Sequence, residues 1–164
     1  MTKENIRVDN FGRAYAGSQL QIQLYVNRRP RELSQKIIKG LPSLASPDPR
    51  LHWISPLEKD NFAEYQDTAF LKACGVEQLS YDLTSFWPRG GPVWDALATV
   101  EFQKDTTQKG IILLEAKSHP PEIYSGGTRA KAKESKEKIE KALNKTKRWL
   151  GVYPDIDWAG PLYQ

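Results

Sequence analysis

Cysteine is almost absent from this chain: Cys74 is the only one in 164 residues, and histidine is limited to His52 and His119. One thiol cannot build a disulfide framework, and neither a cysteine cluster nor a multi-histidine set is available for zinc. No apolar run approaches the roughly 20 residues that a membrane helix needs. The opening residues Met1–Asn5 carry no apolar stretch behind a basic one, so no secretory signal is legible. The expectation is a soluble, reduced protein of the cytoplasm with no membrane partner.

What is present fits one domain over 1–164. Hydrophobic residues make up 39% and charged residues 27%, enough at this length to bury a core without covalent staples. The net charge of +4 is unevenly placed. Residues 1–127 balance 15 basic against 15 acidic side chains, whereas 128–164 hold 9 basic and 5 acidic. A local basic patch suits a polyanion partner, although a solvated helix face has the same composition.

Periodicity gives the order of elements. Leu20, Ile22, Leu24 and Val26 alternate with Gln21, Gln23 and Tyr25, which predicts a half-buried strand. Pro30 opens a helix that Gly40 and Pro42 close. Together they form a strand–helix extension over 1–50. Pro42 to Pro49 reads as a loop. Leu51–Ile54 is short and apolar. Phe62, Tyr65, Ala69, Phe70 and Ala73 recur at helical spacing, predicting a helix over Leu57–Cys74, with Glu58, Asp60, Glu64 and Asp67 in its first turns. Strands are predicted over Leu79–Trp87 and Trp94–Phe102. A polar turn follows near 104–110, and then a strand over 110–118 whose Ile111–Leu114 run suits burial on both faces. A long helix covers Thr128–Leu150, with Ala132, Ser135, Ile139, Ala142, Leu143, Thr146, Trp149 and Leu150 as its inward stripe. No strand pattern follows Gly151. The fold class is therefore α/β, with a mixed sheet and helices packed on it.

One constellation carries chemistry. Gly91-Pro92-Val93-Trp94-Asp95 precedes Glu115-Ala116-Lys117 by twenty residues. Two residues apart on a strand, Glu115 and Lys117 project from one face. An acid and an ammonium at the end of the most apolar run are costly unless they pair or bind something. If 94–102 and 110–118 form a hairpin, Asp95 comes opposite Glu115–Ser118. Two carboxylates and a lysine then share one sheet end, a donor set of hard oxygens suited to Mg²⁺ or Mn²⁺. A turn-capping Asp95 beside a structural Glu115–Lys117 pair is the plainer alternative.

Pro92-Val93-Trp94-Asp95 followed by Ile112-Leu113-Leu114-Glu115-Ala116-Lys117 resembles the signature of the PD-(D/E)XK nuclease superfamily. The wider stretch, Phe86-Trp87-Pro88 through Ala116-Lys117-Ser118-His119, is similar to an uncharacterised bacterial branch of it. The resemblance covers about residues 50–150 and implies a restriction-endonuclease-like core of helix, three strands, helix and a fourth strand. It assigns metal binding to Asp95, Glu115 and the Ala116 carbonyl, and catalysis to Lys117. The acid expected on the first helix falls on Glu64, with Asp67 second. Pro92 stands three residues before Asp95 instead of one. The fourth strand is not legible in the tail over 151–164, so the expectation is a chain that stops short of it, or a sheet position taken by Leu20–Val26.

Around this core, Arg89, Lys131, Lys133 and His119 are candidates for nucleic-acid contact. Glu122 has the same standing as His119: a role near the site, or a solvated side chain. The five tryptophans are read mainly as packing. The implied activity is metal-dependent hydrolysis of phosphodiesters in DNA or RNA. A non-catalytic module that binds nucleic acid or a partner on the same fold is the alternative, and a purely structural domain is the third.

Overall fold

A computed structural model of the chain describes residues 7–41, 49–102, 105–124, 127–152 and 157–160. Among these residues it is a mixed α and β fold of five α-helices and one three-stranded sheet. The strands are β1 (Pro49–Ser55), β2 (Ala96–Phe102) and β3 (Asp105–Leu114), in the order β1-β2-β3. Both pairings are antiparallel, so the sheet is not the mixed one expected. The expected neighbours over 94–102 and 110–118 do pair, but the third strand is β1. No helix among the described residues is long and apolar enough to cross a membrane.

The central strand is β2. Ala96, Leu97 and Ala98 are completely inaccessible. Ala96 packs with Ile22 and Val26 on one face, and Leu97 with Phe70 and Leu71 on the other. The strand buried on both faces is thus β2. The continuous apolar run of β3 lies at the sheet edge and leaves Leu113 41% exposed. β3 also begins earlier and ends at Leu114, short of the predicted 118. Residues 103–104, between β2 and β3, lie outside the described residues.

The helix α1 (Gly17–Arg28) replaces the strand predicted over Leu20–Val26. The alternation there is also compatible with a helix, since Ile22, Gln23 and Val26 fall on one helical face and are buried. Gln23 is 2% exposed. Its amide accepts from Ala14 N–H at 2.8 Å and donates to the Gly12 carbonyl at 2.9 Å. It thereby pins the N-terminal segment on which Val8 bridges Ala14. Gly12 sits at φ +78, and a Cβ there would lie 2.2 Å from the Asn61 carbonyl oxygen, so no other residue fits. The next helix, α2 (Pro30–Gly40), forms as predicted. Of the predicted loop over Pro42–Pro49, residues 42–48 lie outside the described ones, and Pro49 opens β1.

The predicted helix over Leu57–Cys74 is broken. Glu58–Asp60 is a single 3₁₀ turn, Asn61 and Phe62 take left-handed φ of 51 and 53, and only α3 (Asp67–Ala73) is helical. Tyr65 instead pairs with Trp94 in an isolated antiparallel bridge. Leu79–Trp87 is not a strand but a 3₁₀ turn followed by α4 (Ser80–Phe86). Leu79, Leu83 and Phe86 are spaced for one helical face, and Leu83 packs against the Leu97 cluster.

The long basic helix is α5 (Lys133–Trp149), shorter at its start than predicted. Ile139 and Ala142 face inward, but Ala132 is exposed, Trp149 is 82% exposed and Leu150 is half open. Lys138 donates to the Thr84 carbonyl in the last turn of α4, where the helix dipole favours a cation. Lys145 lies 5.8 Å over the Phe86 ring. Part of the basic excess therefore holds α5 to α4. Among the described residues after Gly151 there is no strand.

Candidate functional site

The site grows from the open end of the β2–β3 hairpin. The ladder closes with Ala96 opposite Leu114, so Asp95 and Glu115 are the next residues on each arm. Asp95 extends the ladder with its side chain: its Oδ2 accepts the Ala116 N–H at 2.7 Å. Beyond Leu114 the chain continues without strand pairing, and the Glu115 and Lys117 side chains meet. The Lys117 ammonium donates to Glu115 Oε1, and these side chains are 26% and 36% exposed.

Glu64 arrives from a third direction. It lies in the extended segment before α3, not on a helix. Trp94 N–H donates to the Tyr65 carbonyl at 3.2 Å, and this antiparallel bridge sets Glu64 next to Asp95. Gln19, in the first turn of α1, donates to Glu64 Oε1 at 2.9 Å. Burial pushes the Glu64 carboxyl above its ordinary range. The Gln19 hydrogen bond opposes the rise, and the charges of Asp95 and Glu115 add to it. Asp95 is also raised, first by burial and then by Glu115 and Glu122, against the Ala116 hydrogen bond and the Lys117 charge.

These side chains line one cleft of about 1180 Å³, floored by the first turn of α1. Its walls carry the carboxylates of Glu64, Asp95, Glu115 and Glu122 and the cations of Arg7, Lys117 and Arg129. Glu122 accepts from both the backbone N–H and the hydroxyl of Ser118, each at 3.0 Å, and these bonds hold its carboxyl below the usual range.

Among the described residues, no three acidic, histidine or cysteine side chains converge closely enough to hold a metal ion by themselves. The donor set still fits a smaller demand. Asp95 Oδ1 accepts no hydrogen bond among the described residues. Asp95 and Glu115 repel each other, and Mg²⁺ is commonly held by one or two carboxylates with waters and substrate oxygens in the remaining places.

The other predicted residues lie elsewhere. Asp67 caps the Gly90-Gly91 break, accepting both backbone N–H groups at 3.0 Å, and stays out of the cleft. Arg89 is exposed and lines a neighbouring cavity of about 560 Å³, which shares Gly127, Thr128 and Arg129 with the acidic cleft. His119 is exposed beside Glu122, whose carboxyl its charge helps to lower. Lys131 and Lys133 are exposed at the start of α5 and do not line the cleft. Lys133 faces Glu137 at 3.9 Å. Sequence reasoning passed over Gln19, Arg7, Arg129, Tyr15 and Tyr124, all of which line the cleft. No local pattern marks them, because their common location comes only from folding.

No family model matches this chain, and no curated protein or solved structure matches it.

Proposed function

We propose that the cleft hydrolyses phosphodiesters of DNA or RNA with the help of a divalent metal, on a restriction-endonuclease-like core of the PD-(D/E)XK type. The observation that carries this reading is the meeting of Asp95, Glu115 and Lys117, from the two arms of one hairpin, with Glu64 at a single cleft. Asp95, Glu115 and the Ala116 carbonyl would hold Mg²⁺ or Mn²⁺. Such an ion would supply a water of lowered pKa and offset charge on phosphoryl oxygens. Glu64, oriented by the Gln19 amide beside Asp95, would accept a hydrogen bond from the attacking water. Lys117, next to the Glu115 carboxylate, donates to a non-bridging oxygen as negative charge builds there. Arg89, Lys131, Lys133 and His119 would meet flanking phosphates outside the cleft. The location in keeping with this reading is the cytoplasm.

A second reading is favoured by the way the site satisfies itself. Asp95 is bonded to the Ala116 N–H, Lys117 to Glu115, and among the described residues no third acid comes close enough to complete a metal-holding group. A module that binds nucleic acid or a protein partner without cutting would have this pattern.

Calorimetric titration with Mn²⁺ separates the two, comparing wild type with Asp95→Asn. Loss of an outer-sphere partner already weakens metal binding about 10- to 100-fold, so loss of a ligand should cost at least about 100-fold. The same substitution should abolish cleavage of DNA and RNA. Equal Mn²⁺ affinity in both proteins, or no Mn²⁺ binding in either, would assign the cleft to the binding module.

A further inference from the structure

Tyr15 and Tyr124 are 62% and 68% exposed, and both stand on the wall of the acidic cleft. Single exposed aromatics are ordinary on a protein surface. Two at one cleft, beside two guanidinium groups, make a different combination. Tyr15 N–H donates to the Arg7 carbonyl at 3.1 Å, which holds these two residues side by side. Tyr124 follows the 3₁₀ turn Pro120–Ile123, and Arg129, five residues further along, lines the same cleft. Neither arginine forms an ion pair with a carboxylate among the described residues. The cleft also sets four carboxylates against three cations, so a phosphate backbone gains little attraction from its walls alone. Affinity for a polyanion must then come in part from contacts to something other than phosphate. A base inside a duplex has both faces covered by its neighbours, whereas an unpaired base can lie on an exposed ring.

We propose that the site takes single-stranded nucleic acid, with unpaired bases stacked on Tyr15 and Tyr124 and flanking phosphates held by Arg7 and Arg129. This preference presupposes the nucleic-acid reading of the cleft and adds the strand state and the contacts that select it.

The test is fluorescence anisotropy of labelled oligothymidylate with the full chain, at low ionic strength and with EDTA present so that nothing is cut. An abasic strand of equal length keeps the phosphates and removes the bases, and a duplex of equal length hides them. Oligothymidylate should bind at least about fivefold tighter than either competitor. Tyr15→Ala and Tyr124→Ala should each lose about fivefold or more, while Tyr15→Phe and Tyr124→Phe keep wild-type affinity. Equal binding of oligothymidylate and the abasic strand, tighter binding of the duplex, or no binding overturns the proposal. Cleavage is scored separately with Mg²⁺. A protein that binds single strands through these rings without cutting keeps this inference and loses the hydrolase reading. One that cuts duplex DNA irrespective of the tyrosines does the reverse.

Discussion

In the absence of a divalent cation, Glu64→Gln should make the protein more stable at neutral pH. The ionised Glu64 carboxylate is half-buried and repelled by Asp95 and Glu115. Glutamine keeps an acceptor for the Gln19 amide, but a bond to a neutral group is weaker than one to a carboxylate by about 1 kcal/mol. Against that loss stand the two repulsions and the lost hydration. With water reaching the cleft, each of these is scaled down to about 1 kcal/mol. The net gain is about 2 kcal/mol, or about 4–8 °C in melting temperature for a domain of this size. The pH dependence has a fixed sign. Because the folded-state pKa of Glu64 is raised, the native state binds more protons than the unfolded state between the two pKa values, and stability falls as pH rises through that window. The penalty is complete above the folded pKa. Below the unfolded pKa the wild-type carboxyl is protonated in both states and resembles glutamine. Thermal melts followed by circular dichroism in EDTA, at neutral pH and near pH 4, should therefore show an advantage for the variant at neutral pH that shrinks in acid. Saturating Mn²⁺ should also remove it, since a cation among the carboxylates cancels their repulsion. A variant that melts below wild type in EDTA at neutral pH, or whose advantage persists in acid, would refute the crowding of these three carboxylates.

Lys117→Ala should leave Mn²⁺ affinity equal to or above that of wild type in calorimetry, because Glu115 loses its ammonium partner, while gel assays show no cleavage. Gln23→Leu removes the partners of the Ala14 N–H and the Gly12 carbonyl; leaving both unpaired should cost about 2–4 kcal/mol and lower the melting temperature by about 5–15 °C. The same change should speed hydrogen exchange at Ala14. Gly12→Ala places a Cβ against the Asn61 carbonyl at a left-handed φ, so it should destabilise by at least about 2 kcal/mol in urea denaturation, and a wild-type midpoint would show that this approach is not fixed.

Parts of the site were legible in the sequence because they are local. Glu115 and Lys117 are only two residues apart, so their side chains stay within reach of each other even though β3 ends at Leu114. The polar stretch between two apolar segments implied a hairpin, and the hairpin alone brings Asp95 opposite Glu115. Other elements could not be read locally. The alternation at Leu20–Val26 and the run at Leu79–Trp87 satisfy either period over a few residues, and burial against the two faces of β2 selects helix for both. Ile111–Leu114 looked like a strand covered on both sides, but coverage depends on strand order, and it is β2 that lies between neighbours. Glu64 was picked as a helical acid and reaches Asp95 by another route, the Tyr65–Trp94 bridge between segments far apart in the chain. The cleft walls that carry Arg7, Tyr15, Gln19 and Arg129 have no sequence signal, because proximity across 100 residues is set by packing and not by spacing. The sequence by itself determined which chemical groups this protein has and which of them lie next to one another along the chain. Tertiary structure decided which groups face each other, because side chains distant in sequence meet only when the core that carries them closes.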